Sequence, residues 1–542
     1  MSKAGAVRMN LLDRGIAVFS PQMAAKRMFS RSVLSLYEGG RSTKFRRKSR
    51  DNSSSERLVV RDAATVRATV RDLERNYDLV DGALTTLVRN VVGPNGIMIE
   101  PTPRKNGEGK EYDSIDDDFA RVLLDEFRLW AKRPEVTRTL SWAECQELAC
   151  RSWLRDGDQF TQLVEGTVPG LRHGSAVPLS LELLEADVVP LDYEDSSKRI
   201  SAGIQRNDWG QPLNYYVYKN HPGNGGWTSE GALKSVPAER FLHLAVRKRL
   251  SGLRGISLLA SAIDRLLDVK DYEGSERIAA RLASRILGYI KRDKDMAWVP
   301  PADIDPSQPD QREFHMDPAQ MFADLLPGED LAIANPNRPN SLLNEFVMGM
   351  HRSASRAMGP LSYSSLTGNY DGTYSAQRQE LVEAYDGYRM LTGKFVAGFV
   401  QPIWERFVQF AIASGRVKVP AGIRLETVAQ ATFRGPKMPW IDPVKEANAI
   451  KTLARAGIQS VTESLAERGM RLQDSVELFS RERDLFDEMG LVFDTDARHV
   501  TATGAAQADA STGNDPAEDG QARTRAARSR PARGTSSTGA NP

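Results

Sequence analysis

Cysteine is nearly absent: the chain of 542 residues contains 2, Cys145 and Cys150. Both lie in WAECQELAC, a helix-like stretch with no second cysteine pair and no neighbouring histidine. That spacing supports neither a zinc centre nor a disulfide framework and predicts buried thiols. An excess of one charge is missing too, since Lys plus Arg number 73 against 71 Asp plus Glu, a net charge of +2. A protein that grips nucleic acid through its phosphates usually carries a clear basic excess, so any contact with DNA is expected to be local or weak. No apolar run reaches ~18 residues and the N-terminus shows no signal-peptide pattern, which predicts no membrane partner and a cytoplasmic chain unless an assembly carries it elsewhere. Catalytic motifs are lacking as well: no G-x-x-x-x-G-K-[ST], H-E-x-x-H or G-x-S-x-G occurs. The histidines (His173, His221, His243, His315, His351 and His499) are scattered without metal-ligand spacing. No catalytic residue, cofactor or metal is therefore expected. A hydrolase or nuclease acting on DNA through dispersed carboxylates stays open as the alternative.

The residues that are present describe a mainly helical α+β protein. Hydrophobic residues make up 40% and charged ones 27%, a globular composition, and ~150 residues per domain suggests about three units. The first sixty residues carry a basic run, RSTKFRRKSR at 41–50, followed by DNSSSE, and read as a solvated, partly disordered arm, with a nucleic-acid or partner-binding arm as the alternative. Helical periodicity starts at Arg61 with Val66, Val70, Leu73, Tyr77 and Val80. It continues through Leu79, Leu84, Leu87 and Val88 and stops at VVGPNG, where Gly93 and Gly96 mark a tight turn before the strand IMIEP. A dinucleotide-binding loop needs a strand before its glycines and a helix after them. Here the order is reversed, so the turn only redirects the chain.

Further on, Asp116, Asp117 and Asp118 open a helix whose dipole favours acids at that end, and Ser141 caps another. Residues 159–244 read as short strands: QFTQLVEG, LSLELLEADVVP, GIQRNDWGQPLNYYVYK and ERFLHLAV. A charged helix with one apolar stripe (Leu258, Leu259, Ile263, Leu266, Leu267, Ile278, Leu282, Ile286) then precedes a Pro-rich interval. A shorter helix SLLNEFVMGMHRSASRAMG, a polar loop PLSYSSLTGNYDGTYS and a long helix broken near Gly393 and at Pro402 follow. The last helices run from Trp440 to Gly490, with starts at Asp442-Pro443 and Thr462 and ends at Gly457 and Gly469. From residue 501 onward there is no Val, Ile, Leu, Met or aromatic residue. Ordering about forty such residues would cost ~40–80 kcal/mol of backbone entropy with nothing apolar to bury, so the tail is expected to be disordered.

RNYDLVDGALTTLVRNVVGPNGIMIEP resembles the N-terminal signature of lambda-type tailed-phage portal proteins. Four further blocks resemble the same family in the same order: FLHLAVRKRLSGLRGISLLASAIDRLLDVKDYEGSERIAARLAS, LLPGEDLAIANPNRP, GNYDGTYSAQRQELVEAY and WIDPVKEANAIKTLARAGIQSVTESLAERG. The family often has Tyr-Ser-Ser-x-Arg where this chain has Tyr374, Ser375, Ala376, Gln377 and Arg378.

The resemblance implies a portal fold assembling into a ring, commonly a homododecamer, at one capsid vertex through which double-stranded DNA is packaged and ejected. After the arm read from the residues at 1–60, it implies a wing at 61–255, a stem helix at 256–285, a clip at 286–340 and a second stem helix at 341–358. A channel loop at 359–374, a long helix at 375–415, a return to the wing at 416–439 and a helical crown at 440–492 follow, and the disordered tail read from composition occupies 493–542. Tyr363, Tyr370, Asp371 and Tyr374 become the DNA-facing candidates of the channel loop, Leu266 and Leu282 the subunit-packing candidates of the stem, and Gly93 and Gly96 the wing turn. Implied partners are further copies of the chain, the DNA, the terminase, the major capsid and scaffold proteins, and the head-completion or tail connector proteins, with the virion as the site of residence.

Overall fold

The structure is a computed structural model and describes residues 53–106, 112–224, 233–283, 288–292, 329–333, 343–436, 443–466, 470 and 472–491, besides 16, 20, 22 and 23. The expectations for the basic run 41–50, the tail and Gly469 lie outside these residues. Helix α1 spans Ser55–Asn76 and so begins six residues before the apolar periodicity becomes visible. The serine run supplies the reason: the Ser54 side chain accepts from the Arg57 N–H at 3.2 Å, satisfying a donor that a helix start otherwise leaves open. Tyr77 is extended (φ −142°) and separates α1 from α2, Asp78–Val91. Both helices bury the face read from the spacing, including Val70, Leu73, Val80, Leu84 and Leu87.

The chain leaves α2 through Gly93 (φ +83°) and Gly96 (φ +78°), both in the region that only glycine enters without strain. A Cβ at Gly96 would also strike the amide of Gln146, whose Oε1 accepts from Ile97 N at 2.9 Å. Strand β1, Met98–Pro101, follows; β2 (Arg104–Asn106) and β3 (Tyr112–Ile115) form a short hairpin. Helix α3, Asp117–Trp130, starts where the three aspartates stand, and the Asp116 carboxylate accepts from Phe119 N at 2.8 Å, a cap that needs no cation. Helix α4, Trp142–Asp156, opens with a reciprocal Ser141/Glu144 capping box. Both cysteines are free and buried in α4; burial raises the Cys145 thiol to about 12 and pushes Cys150 upward as well.

Strands β4 (Asp158–Glu165), β5 (Leu179–Leu184), β6 (Ile200–Ser201), β7 (Ile204–Arg206), β8 (Pro212–Tyr218), β9 (Leu233–Pro237) and β10 (Phe241–Ala245) follow in the strand-rich region. They make two antiparallel sheets, ordered β10-β4-β5 and β6-β7-β8-β9. Phe160, Ile204, Tyr215, Val217, Phe241 and Leu253 form the cluster that joins them. Helix α5, Ile263–Ala283, is followed by an antiparallel pair, β11 (Gly288–Arg292) with β12 (Glu329–Ile333). Helix α6 spans Leu343–Ala357, α7 is the single turn Tyr363–Thr367, and α8 runs Tyr374–Phe395.

The long helix does not break at Gly393. It continues to Val396–Val400, which widens into a π-turn, and resumes as α9, Gln401–Ala413. Pro402 has no N–H, and its ring would collide with the carbonyl four residues earlier in a regular helix; the wider turn removes the clash without ending the helix. Phe399 in that turn stacks on Trp142 with centroids 5.6 Å apart, and Phe127, Trp130, Trp404 and Phe407 continue the aromatic core. Strand β13, Ala431–Arg434, returns to pair with β1, Met98 opposite Arg434.

Helix α10, Pro443–Arg455, begins at the proline. A second compact unit holds α11, Val461–Ala466, and α12, Leu472–Met489, packed on each other. The start of α11 lies before Thr462: Ser460 Oγ accepts from Glu463 N at 3.1 Å while the Glu463 carboxylate accepts from Ser460 N at 3.0 Å. Among the described residues no helix is long and apolar enough to cross a membrane.

Candidate functional site

Helix α5 is entered through a 3-10 turn, Leu258–Ser261, capped by Ser257 Oγ. Its first half is built into the chain's own core, where Ala262, Ile263, Leu266 and Val269 are buried. Leu266 has no exposed surface and belongs to the same cluster as Val80, Leu84 and Trp153. The sequence expectation that Leu266 packs against a neighbouring subunit is therefore corrected: that side chain is used up inside the chain. The stripe read from periodicity does not continue along the helix either, for Glu276 is buried and Ile278 is 59% exposed. In α6, Phe346 is 52% exposed and meets Tyr272 of α5 edge-to-face at 5.2 Å, which pairs the two helices. The side chain of Leu282 lies outside the described residues.

The segment after α6 is anchored more firmly than a polar loop would be. Leu361 and Leu366 are buried in the main core, and Ser362 caps α7 by accepting from Ser365 N at 3.1 Å. Gly368 (φ +68°) closes α7 in the left-handed conformation. On α8, Glu380 accepts from Ser364 Oγ at 2.6 Å and Ser364 N at 3.3 Å, holding the short helix down. Tyr363 is half-buried beneath Arg352, whose guanidinium lies 5.1 Å from the ring centroid. Only the tip, residues 368–373, stands free enough to meet a ligand. Tyr370 there is 65% exposed, Asp371 is exposed, and the Asp371 N–H donates to Asn369 Oδ1 at 3.0 Å. The four channel-loop candidates thus separate: Tyr370 and Asp371 share the tip, Tyr363 packs inward, and the Tyr374 side chain lies outside the described residues. A groove of about 1010 Å³ runs between α6, this segment and α8, lined by Arg352, Arg356, Ser364, Asp371, Glu380 and Glu383. Its opposite charges are partly matched already, with Arg356 Nη1 2.8 Å from Glu383 Oε1.

The turn that leads into α5 rests on a buried polar cluster that no sequence pattern disclosed. Asp158 at the start of β4 accepts from Arg254 Nε at 2.7 Å, from His243 Nε2 at 3.0 Å and from Gly255 N at 2.6 Å. Arg254 also donates to the carbonyls of Val189, Ala202 and Ala186 at 3.1, 3.0 and 3.2 Å. Burial opposes ionisation of Asp158, yet Arg254 and the hydrogen bond from His243 outweigh it and hold the carboxyl well below its ordinary value. Burial lowers His243 despite Asp158, and because an ionised Asp158 can only accept, Nε2 is the ring nitrogen that carries the shared proton. A repertoire of acid, imidazole and guanidinium looks catalytic, but all three side chains are at most 3% exposed. The cluster ties both sheets to the entry of α5.

Among the described residues one group has metal-like spacing: the ligand atoms of Glu185, Asp187 and His221 lie within 4.8 Å of one another. Arginines already match these acids. Arg67 Nη1 lies 2.8 Å from Asp187, and Arg71 Nη2 lies 2.7 Å from Asp187 and 3.1 Å from Glu185. A dication would have to displace two guanidinium groups from the carboxylates, so the cluster fits an ion-pair network better than a metal centre.

Comparison with known proteins matches the family model for "Phage portal protein, lambda family" over residues 40–391. The chain is similar to the "Probable portal protein" of Halomonas phage phiHAP-1, 25% identical over 448 residues covering 81% of this chain and 83% of that protein. It is also similar to "Portal protein B" of Escherichia phage lambda, 22% identical over 316 residues, 53% of this chain and 58% of that one. Among solved structures it matches a chain of the "Virion of native gene transfer agent (GTA) particle", 14% identical, TM-score 0.42, over 77% of this chain and 99% of the other. A chain of the "Neck of empty GTA particle computed with C6 symmetry" matches at 15% identity and TM-score 0.41, over 76% and 94%.

Proposed function

The chain belongs to the lambda family of phage portal proteins, and from that premise we propose that it forms a homododecameric ring at one vertex of a capsid, with double-stranded DNA passing along the ring axis. The family is structural and not enzymatic, so the alternative of a dispersed-site nuclease or hydrolase falls away. The observation that carries the reading is the extent of the match, residues 40–391, which takes in both sheets, helices α5 and α6 and the whole segment 359–374. In this reading α5 and α6 are the stem, the interval between them is the clip that meets the terminase and later the head-completion or tail connector proteins, and residues 440–492 form the crown. The tip with Tyr370 and Asp371 faces the channel.

The net charge of +2 suits such a conduit. DNA carries one charge per ~1.7 Å of axis, and a strongly basic channel would hold it instead of letting it slide. Among the described residues the large apolar side chains exposed on α5 and α6 are Ile278 and Phe346, and subunit contacts would cover them. Replacing both with Asp is expected to abolish rings while the circular dichroism of the wing stays unchanged. Rings that persist in the double variant would remove α5 and α6 from the subunit interface.

A further inference from the structure

Between β10 and α5 the chain makes a loop whose base is rigid and whose apex is a bare cluster of cations. At the base, Val246 N donates to Gly157 O at 2.7 Å, Ile256 N donates to Val246 O at 3.3 Å, and Arg254 is the buried partner of Asp158. Leu253 is buried in the core that joins the two sheets. Above this base, Arg247, Lys248, Arg249, Leu250 and Ser251 are all exposed. Arg249 Nη1 donates to the carbonyl of Ser53 at 3.1 Å, which fastens the apex to the start of α1. Arg247 and Lys248 have no ion pair among the described residues, and neither does Arg57, exposed in the first turn of α1. The one acid of that turn, Glu56, is already paired with Arg206 at 3.0 Å. Arg247 and Lys248 are thus exposed with no anion to meet them among the described residues.

The sequence adds to this charge. The run 41–50 contains Arg41, Lys44, Arg46, Arg47, Lys48 and Arg50. Its last residue stands three positions before Ser53 in the sequence.

We propose that the Arg247–Lys248 apex is a second nucleic-acid contact, binding the phosphate backbone of double-stranded DNA without regard to sequence and lying outside any channel. A protein partner would be expected to find an apolar centre with charges at its rim, and Leu250 is the only apolar side chain of the apex. Unpaired arginine and lysine presented together suit phosphates, each contact releasing a condensed counterion. The inference rests on the loop and not on ring assembly.

The test separates the two. A covalently closed circular plasmid cannot thread a closed ring, so its binding by full-length protein reports surface contacts alone. Binding is measured by filter retention across a sodium chloride titration for the natural chain, for Arg247→Ala/Lys248→Ala, and for the control Lys132→Ala/Lys418→Ala, which removes equal charge elsewhere. The apex variant is expected to bind several-fold more weakly at low salt. Its log–log salt slope should be shallower by about 1–2, since each lost phosphate contact removes ~0.9. The control should match the natural chain, all three should melt alike, and plasmids of different base composition should compete equally. Poly-glutamate of equal charge should compete poorly. An apex variant that binds plasmid with the natural affinity and slope would overturn the proposal, as would poly-glutamate competing as well as DNA, which would assign the apex to an acidic polypeptide.

Discussion

Replacing Arg254 with Met should reveal how much of the wing depends on one buried ion pair. Arg254 has no exposed surface, its Nε lies 2.7 Å from Asp158, and it donates to three carbonyls while its guanidinium sits 5.1 Å from the centroid of the Phe160 ring. Methionine fills much of the same volume but leaves the Asp158 carboxylate facing only His243 and Gly255 N. Breaking a buried pair from one side costs ~3–5 kcal/mol because the remaining charge is uncompensated, and the abandoned carbonyls push toward the upper end. At about 2–4 °C per kcal/mol for a domain of this size, the transition should fall by ~6–20 °C. The assay is calorimetry at one protein concentration and one assembly state, since oligomerisation shifts apparent stability. The double variant Arg254→Met/Asp158→Asn should recover part of the loss, because no charge is then stranded. A single variant melting within about 2 °C of the natural chain would refute the reasoning.

Gly96→Ala should cost ~1–2 kcal/mol for the left-handed backbone, plus ~1–3 kcal/mol for displacing Gln146 from Ile97 N. Gly93→Ala, where a Cβ would press on Pro436 at 3.3 Å but strike no hydrogen-bonded amide, should cost the backbone part and a small shift of Pro436, less than Gly96→Ala, and urea unfolding would rank the two. His243 is lowered from its ordinary 6.5 mainly by burial. The unfolded chain therefore binds the extra proton, and the stability this histidine contributes is complete above pH 6.5 and lost as pH falls toward the folded value. Melting curves between pH 6.5 and about 5, above the usual carboxylate range, should slope for the natural chain and be flatter for His243→Gln. Tyr370→Ala/Asp371→Ala should leave assembly and melting unchanged, both side chains being exposed, while shortening the nuclease-protected genome per particle. Full-length genomes at normal yield would return the tip to ordinary surface.

Much of the helical framework is legible because its signals are local. Spacing marks α1 and α2, the glycines mark the turn after them, and Ser141 and Asp116 mark two starts by capping chemistry that works within a few residues. The same logic applied to DNSSSE places the start of α1 at Ser54, though periodicity alone looks only for apolar residues and sees it later. The π-turn was hidden because proline in a helix reads as a break unless the neighbouring turn can widen, and the packing around that turn, where Phe399 stacks on Trp142, joins residues far apart in the sequence. Leu266 shows the deeper limit. A stripe of apolar residues states that a face is covered but not by what, and here Leu266 is buried in the core of its own chain. Asp158, His243 and Arg254 are separated by 85 and 96 positions, and nothing in one sequence links residues that meet only after both sheets have formed.

Negative-stain electron microscopy of the purified full-length protein tests the central claim most directly. Class averages should show annular particles of uniform diameter with a central opening and rotational symmetry. Particles that remain single 60.0 kDa chains at every concentration tried, with no annulus among them, would contradict it.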